Sequence, residues 1–352
     1  VTAPALEPAR ILEPVGAVLR RHLGGDGAPE LLETITGNVN TILKLAYQGR
    51  RLGVRLATHT YRFRYEKDII KEIFALFLIY HGRDGGNDAT ARELVEGILA
   101  APQGSHVGHA LVRQVLYYDW SCTALPWPFF IFEWIDGTIL WHTPSPDQYF
   151  QAGANLAELH GIGFDAYYRD IFRIGREPLP WAECFGAALE REAAAARPRL
   201  PPALAAKVGR FDAAGLTPAR PCLIHNDYSG GNILVAAEGG QKIVDWDNWL
   251  VEAPELDLLK MRYWTAIGQD GRLAPDPARF EAFLAGYRSR PGAVIDPDRL
   301  RAYALLWLLR AYNFESAKRH APDQAPDPAA VDADLSTLYP PPARYEEFLA
   351  EL

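Results

Sequence analysis

The order of hydrophobic patterns along the chain predicts an α+β fold rather than alternating strand–helix–strand units. Two observations carry this expectation. Short apolar runs bounded by turn residues, the mark of strands, gather between Leu31 and Ile135. Beyond Asp136 the periodicity is almost entirely helical, with one strand-like exception from Pro221 to Asp247.

Each element has its own signal. Ile11 to Leu23 repeats apolar residues at helical spacing, and Gly24-Gly25 close the helix. Leu31–Ile35, Thr41–Tyr47 and Leu52–Ala57 read as strands, turned at Gly37–Asn40 and Gln48–Arg51. Connections this tight predict an antiparallel meander of neighbours. Ile69, Ile70, Ile73, Phe74, Leu76 and Phe77 mark a helix from Tyr65 to Tyr80, and a second is expected near Thr90–Ala100. Strands at Leu111–Trp120 and Phe129–Ile135 bring the front section to five, and Asp136-Gly137 break the last of them. The later helices are expected at Asp147–His160, Trp181–Ala195, Pro202–Ala213, Arg279–Tyr287 and Arg299–Arg319. Ala321–Pro342, rich in Pro, Asp and Ala, reads as a surface-hugging connector.

Composition narrows the class. The 352 residues are 49% hydrophobic and 23% charged, as in a folded globular protein. A net charge of −8 argues against a broad electrostatic grip on nucleic acid or anionic membrane. Cys122, Cys184 and Cys222 lie too far apart for a disulfide framework or a zinc spacing, which points to a reducing cytosol. The most apolar region, Leu111 to Ile135, is broken by Arg113, Asp119, Pro126, Pro128 and Glu133, so it could not cross a bilayer without burying charge. Val1 to Pro14 lacks the basic-then-apolar pattern of a secretory signal. The expectation is a cytoplasmic protein with neither nucleic-acid nor membrane partners.

The segment from Cys222 to Val235 carries the chemistry. It holds His225-x-Asp227-x-x-x-x-Asn232 between two apolar runs, a triple expected by chance roughly 0.01 times in such a chain. Thirteen residues on, Ile243-Val244-Asp245-Trp246-Asp247 ends another apolar run with a carboxylate. Phosphoryl transfer explains this company of residues. An acceptor hydroxyl needs a carboxylate to orient it and take its proton, for which Asp227 is placed. Mg²⁺ needs hard oxygen ligands, which Asn232 and Asp245 offer, so that it can bridge the β- and γ-phosphates of a nucleotide.

On these motifs the chain resembles the aminoglycoside phosphotransferase/choline kinase-like family, small-molecule relatives of protein kinases. The resemblance runs from about Leu31 to Trp264 and is most specific at His225–Asp247. It implies a bilobal, protein-kinase-like fold, with a five-stranded antiparallel N-lobe over residues 1–135 and a mainly helical C-lobe over 136–352. It also implies ATP- or GTP-dependent phosphorylation of a hydroxyl on a small polar metabolite or antibiotic. By residue, it makes Asp227 the catalytic base, gives Asn232 and Asp245 to Mg²⁺, offers Asp247 as an auxiliary metal group, and makes Asp257 a brace of the catalytic loop. Arg55 on the third strand stands where protein kinases carry a phosphate-binding Lys. Its partner is expected on the next helix, at mid-helix Glu72 in preference to Glu66, which sits in a fraying first turn. Gly37–Asn40 takes the place of a phosphate-covering loop, with Asn40 as its nucleotide-binding residue, although the kinase glycine pattern is missing. Phe129–Gly137 resembles the hinge, whose Glu133 carbonyl and Ile135 amide would meet the adenine edge. His160 and His225 are expected to order structure by hydrogen bonding rather than to move protons.

Rival readings meet obstacles. Ser229 is no hydrolase nucleophile, because G-x-S-x-G fails at position 227. Ala253-Pro254-Glu255 copies a protein-kinase motif but follows Asp245 too closely to end a peptide-docking segment. A nucleotide-binding pseudokinase is the remaining alternative, and it typically lacks one of the three groups present here as Asp227, Asn232 and Asp245. The acceptor pocket is expected among Phe164–Arg220 and the C-terminal helices. Its ligand, and the choice between ATP and GTP, stay open at this stage, as does the oligomeric state.

Overall fold

The computed structural model describes residues 8–36, 40–58, 65–81, 110–143, 145–168, 174, 177–211, 215–320 and 338–352. The expected helix at Thr90–Ala100, the turn residues Gly37–Val39 and most of the Ala321–Pro342 connector lie outside them. The described elements are α1 (Pro8–Leu23), β1 (Glu30–Thr36), β2 (Thr41–Tyr47), β3 (Arg50–Leu56), α2 (Tyr65–His81), β4 (Val115–Asp119), β5 (Phe129–Glu133), β6 (Gly137–Ile139), α3 (Pro146–Leu159), α4 (Trp181–Ala196) and α5 (Pro202–Val208). They continue with β7 (Cys222–Ile224), β8 (Ile233–Ala236), β9 (Gln241–Ile243), β10 (Leu250–Glu252), α6 (Glu255–Tyr263), β11 (Ala266–Ile267), β12 (Leu273–Ala274), α7 (Pro277–Arg288), α8 (Pro297–His320) and α9 (Pro342–Glu351).

The front sheet has five antiparallel strands in the order β1-β2-β3-β5-β4. It is covered on both faces, which is why β5 is continuously apolar rather than alternating. Val54 and Leu56 of β3, with Phe129 and Ile131 of β5, pack on one face with Ile11, Val15 and Leu19 of α1. Phe130 and Phe132 point the other way and join Ile69, Ile73 and Phe77 of α2. That second cluster continues into Tyr149 and Leu156 of α3 and Phe283 of α7, so one apolar core links the sheet to the helical section. The kinase-like α+β architecture is as the sequence predicts.

The helical section is held by close crossings. A Cβ on Gly153 of α3 would lie 1.9 Å from Phe283 O, and one on Gly286 of α7 would lie 1.8 Å from Phe150 O. Each glycine therefore admits the backbone of the opposite helix. A second cluster joins α4, α6, α8 and α9 through Phe185, Leu259, Trp307 and Phe348.

Several expectations need correction. The strand expected at Leu111–Trp120 begins only at Val115, leaving Arg113 ahead of it. The helix expected at Pro202–Ala213 stops at Val208, with Gly209 as its cap. Pro221–Asp247, expected as one strand-like stretch, divides between two sheets: β7 pairs with β10, whereas β8 and β9 form a sheet with β6. The chain from His225 to Asn232 thus passes from one small sheet to the other. Helix α6 is absent from the sequence expectation because Leu256, Leu258, Leu259, Met261 and Tyr263 are all buried, which erases the amphipathic period.

Candidate active site

Strand alternation aims Arg55 at the site: Val54 and Leu56 face α1, so the residue between them emerges on the α2 side. There Arg55 Nε lies 2.9 Å from Glu72 Oε2, and its Nη1 donates to Oε1 at 3.2 Å. Its Nη2 donates to Asp245 Oδ1 at 2.8 Å and lies 3.7 Å from Asp247 Oδ2. The Asn40 amide oxygen, turned toward the guanidinium, accepts from Nε at 3.1 Å. Burial opposes the Arg55 charge, but Glu72, Asp245 and Asp247 outweigh it and hold the group more firmly protonated than usual. The Glu66 side chain lies outside the described residues.

Glu72 feels opposite influences. Burial pushes its carboxyl up to about 7, against the pull of Arg55 and Arg113 and a bond from the Trp246 backbone. Arg113 stacks 4.5 Å over the Phe132 ring, and burial lowers it to about 10. The indole of Trp249 donates to Lys71 O at 2.6 Å, which ties α2 to the segment after Asp245.

The loop from β7 to β8 is pinned from below by Asp257 of α6. The backbone N–H groups of His225 and Asn226 donate to its two carboxylate oxygens at 2.6 Å each. His160, which caps α3, adds a contact from Nε2 at 3.3 Å and meets the Tyr287 hydroxyl at 2.9 Å through Nδ1. His225 accepts from the Asp227 N–H at Nδ1 (3.2 Å) and faces Val244 O with Nε2 (2.9 Å). Those partners assign the neutral tautomer with the proton on Nε2, so both nitrogens serve structure. Asn226 and Asp245 hold φ at 61° and 66°, where short polar side chains are the least disfavoured non-glycine choice. Beside the loop, the Trp141 indole fills the space that a Cβ would need at Gly230 (2.4 Å) or Gly231 (2.6 Å).

These constraints bring the sequence-predicted residues together. Asn232 Nδ2 donates to Asp227 O at 2.9 Å, and Asn232 O accepts from the Val244 N–H at 3.0 Å, one residue before Asp245. Burial raises Asp245, yet the charge and hydrogen bond of Arg55 hold it below the usual carboxylate range. Burial and then the Asp245 charge push Asp247 well above that range. The donor set fits a hard divalent cation. The Asn232 amide spends its nitrogen on Asp227 O, which leaves its oxygen to accept, and the carboxylates of Asp245 and Asp247 both face Arg55 Nη2. No cluster of three or more His, Cys, Asp or Glu able to hold a metal occurs among the described residues.

At the end of β5, pairing stops at Glu133↔Leu52, and the Trp134 N–H donates to Arg51 O at 3.0 Å. The Glu133 side chain is exposed and pairs with Arg50 at 2.6 Å; half-buried Ile135 leads into β6. Two residues beside the site escaped the sequence reading. Trp141 lies in a single 3₁₀ turn without periodicity, and the paired glycines opposite it were the available sign. Lys260 of α6 forms an ion pair with Asp227. It stands three residues after Asp257, so the same helix face that braces the loop also presents a cation to it.

The sequence profile of the phosphotransferase enzyme family matches residues 92–303. The chain belongs to this family. Among solved structures, this phosphotransferase-family chain is similar to a provisionally assigned aminoglycoside phosphotransferase from Ralstonia eutropha, at 17% identity and TM-score 0.61, with 96% of this chain and 98% of that one covered. It is also similar to a macrolide 2′-phosphotransferase from Brachybacterium faecium, at 18% identity and TM-score 0.56, covering 94% and 99%. A spectinomycin phosphotransferase complexed with ADP and spectinomycin aligns at 14% identity and TM-score 0.52, covering 99% and 100%. At such identities the likeness establishes the shared kinase-like fold. No curated protein sequence gives a significant match. Among the described residues, no helix is long and apolar enough to cross a membrane.

Proposed function

We propose that the protein transfers the γ-phosphoryl group of ATP or GTP to a hydroxyl of a small polar molecule. The observation that carries this reading is the convergence of Asp227, Asn232 and Asp245 beside the Arg55–Glu72 pair. Asp227 orients the acceptor hydroxyl and takes its proton as the new O–P bond forms and the bond from the γ-phosphorus to the nucleoside diphosphate breaks. Asn232 and Asp245 are the residues that would hold Mg²⁺, with Asp247 beside them. A metal ion held there would supply charge neutralisation for the transferring phosphoryl group.

Arg55 binds the α- and β-phosphates, fixed by Glu72 and by Asn40, and its fork offers bidentate contacts that a Lys would not. The Glu133 carbonyl and Ile135 amide meet the adenine edge, at the boundary between an N-lobe (1–135) and a C-lobe (136–352). Asp257 holds the loop that carries Asp227. The setting is cytoplasmic. Calorimetry with each purine triphosphate and Mg²⁺, followed by mass detection of a phosphorylated product, tests the reading. Nucleotide binding together with an added phosphoryl group supports it. Binding without product from any acceptor favours a pseudokinase, and absence of binding removes the kinase reading altogether.

A further inference from the structure

The carboxylate assigned to the acceptor already has a cation of the protein's own. Lys260 reaches from α6 to Asp227, with side chains only 17% and 25% exposed. Its ammonium also stands 5.1 Å over the Trp264 ring. Trp264 in turn packs 5.1 Å from Tyr339. The Asp227 charge is felt at the Tyr339 hydroxyl, which burial first and that charge second push up to about 12. Thus Lys260 meets Asp227 with Trp264 behind it, and Tyr339 packs on Trp264 in turn.

From this arrangement we propose that Lys260 sets the substrate class. The acceptor presents oxygen acceptors next to its reactive hydroxyl (a vicinal hydroxyl, ether, carbonyl or carboxylate) and carries no ammonium group there. The inference rests on the reading of Asp227 as the acceptor-facing base. An ammonium group beside the hydroxyl would seek the place by Asp227, and over the Trp264 face, that Lys260 holds, and it would meet like charge in a partly desolvated site. An oxygen-rich acceptor meets the opposite situation. Lys260 has three donors, of which one serves Asp227, so the others can reach substrate oxygens. Glu315 and Asp245, the other acidic groups felt at Tyr339, also raise it, and Glu315 acts on Tyr345 as well.

The test is a panel of hydroxyl compounds in three charge classes: neutral polyols and sugars, hydroxy acids, and amino alcohols including amino sugars. Each is offered with Mg-ATP to the full chain, and products are read by mass. Wild type is expected to phosphorylate members of the first two classes. Compounds with an ammonium beside the hydroxyl should react at least about tenfold more slowly, the scale of one lost charge-assisted contact. Lys260→Met keeps an unbranched chain over Trp264 and should lower kcat/KM on the preferred acceptors about 10- to 100-fold, mainly through KM. Lys260→Glu should move preference toward the amino alcohols. If the best wild-type acceptors carry an ammonium beside the hydroxyl, the proposal is wrong. It also fails if no neutral or anionic compound is phosphorylated, or if Lys260→Met leaves kcat/KM on them unchanged. Failure of the kinase reading itself looks different, because neither Mg-ATP nor Mg-GTP then binds; where calorimetry selects GTP, the panel is run with Mg-GTP.

Discussion

Arg55 Nη2 stands 2.8 Å from Asp245 Oδ1, an ion pair between residues 190 positions apart in the chain. It joins the third strand of the front sheet to the end of a hairpin in the helical section. The same guanidinium holds Glu72 of α2, so three elements meet on one cation. A group so placed is an architectural joint, and in the function proposed above it also binds phosphate oxygens.

Arg55→Ala is therefore expected to weaken Mg-ATP binding, each lost charge-assisted bond being worth roughly 1.5–3 kcal/mol. Arg55→Lys should recover only part, since an ammonium cannot reproduce the fork. Calorimetry reads both variants. Unchanged affinity and turnover would leave Arg55 an architectural ion-pair residue with no part in nucleotide binding.

Asp227 and Asp245 should fail differently. Asp227→Asn is expected to leave Mg-ATP affinity nearly intact while turnover falls roughly 10²–10⁴-fold, the usual worth of a general base. Asp245→Asn should weaken Mg²⁺-dependent nucleotide binding as well as turnover, and added Mg²⁺ should restore part of it. Equal loss of affinity in both variants, or rescue of Asp227→Asn by Mg²⁺, contradicts the division of roles.

Asp257 is a brace, and its loss should show in stability. Asp257→Ala leaves the His225 and Asn226 amides without their acceptor inside the protein. Unpaired buried groups cost about 1–3 kcal/mol each, so a total of roughly 2–6 kcal/mol is expected in denaturant unfolding. A loss below about 1 kcal/mol would show that water or a shifted loop replaces the carboxylate.

Two glycine substitutions of the same chemistry should have opposite signs. Gly153→Ala places a methyl 1.9 Å from Phe283 O and must push α3 from α7. It should destabilise by roughly 1–3 kcal/mol or more. Gly186, within α4, has nothing within 4 Å of the built Cβ. There alanine should stabilise by about 0.5–1 kcal/mol through helix propensity. Thermal unfolding of the pair reads the contrast; a neutral Gly153→Ala would mean that the crossing yields.

Much of this protein is legible in one dimension. Strand period, turn residues and helix stops are local properties, so β2, β3, α2, α3 and α8 follow from their own residues. The spacing of His225, Asp227 and Asn232 is also local, because a short loop fixes where its side chains can reach. What the chain could not announce depends on neighbours far away. Seven of the nine residues of helix α6 are buried, around almost its whole circumference, which removes the very periodicity that would reveal it. Strand β7 pairs with β10 because their register matches Ile224 to Leu250, while β8 and β9 turn to β6. The choice of Glu72 as the partner of Arg55, the brace of Asp257 under the loop and the reach of Lys260 to Asp227 all join separate elements. Sequence determines which residues are competent for such pairs; only packing brings a strand, a helix face and a loop within hydrogen-bonding distance and so decides which pairs form.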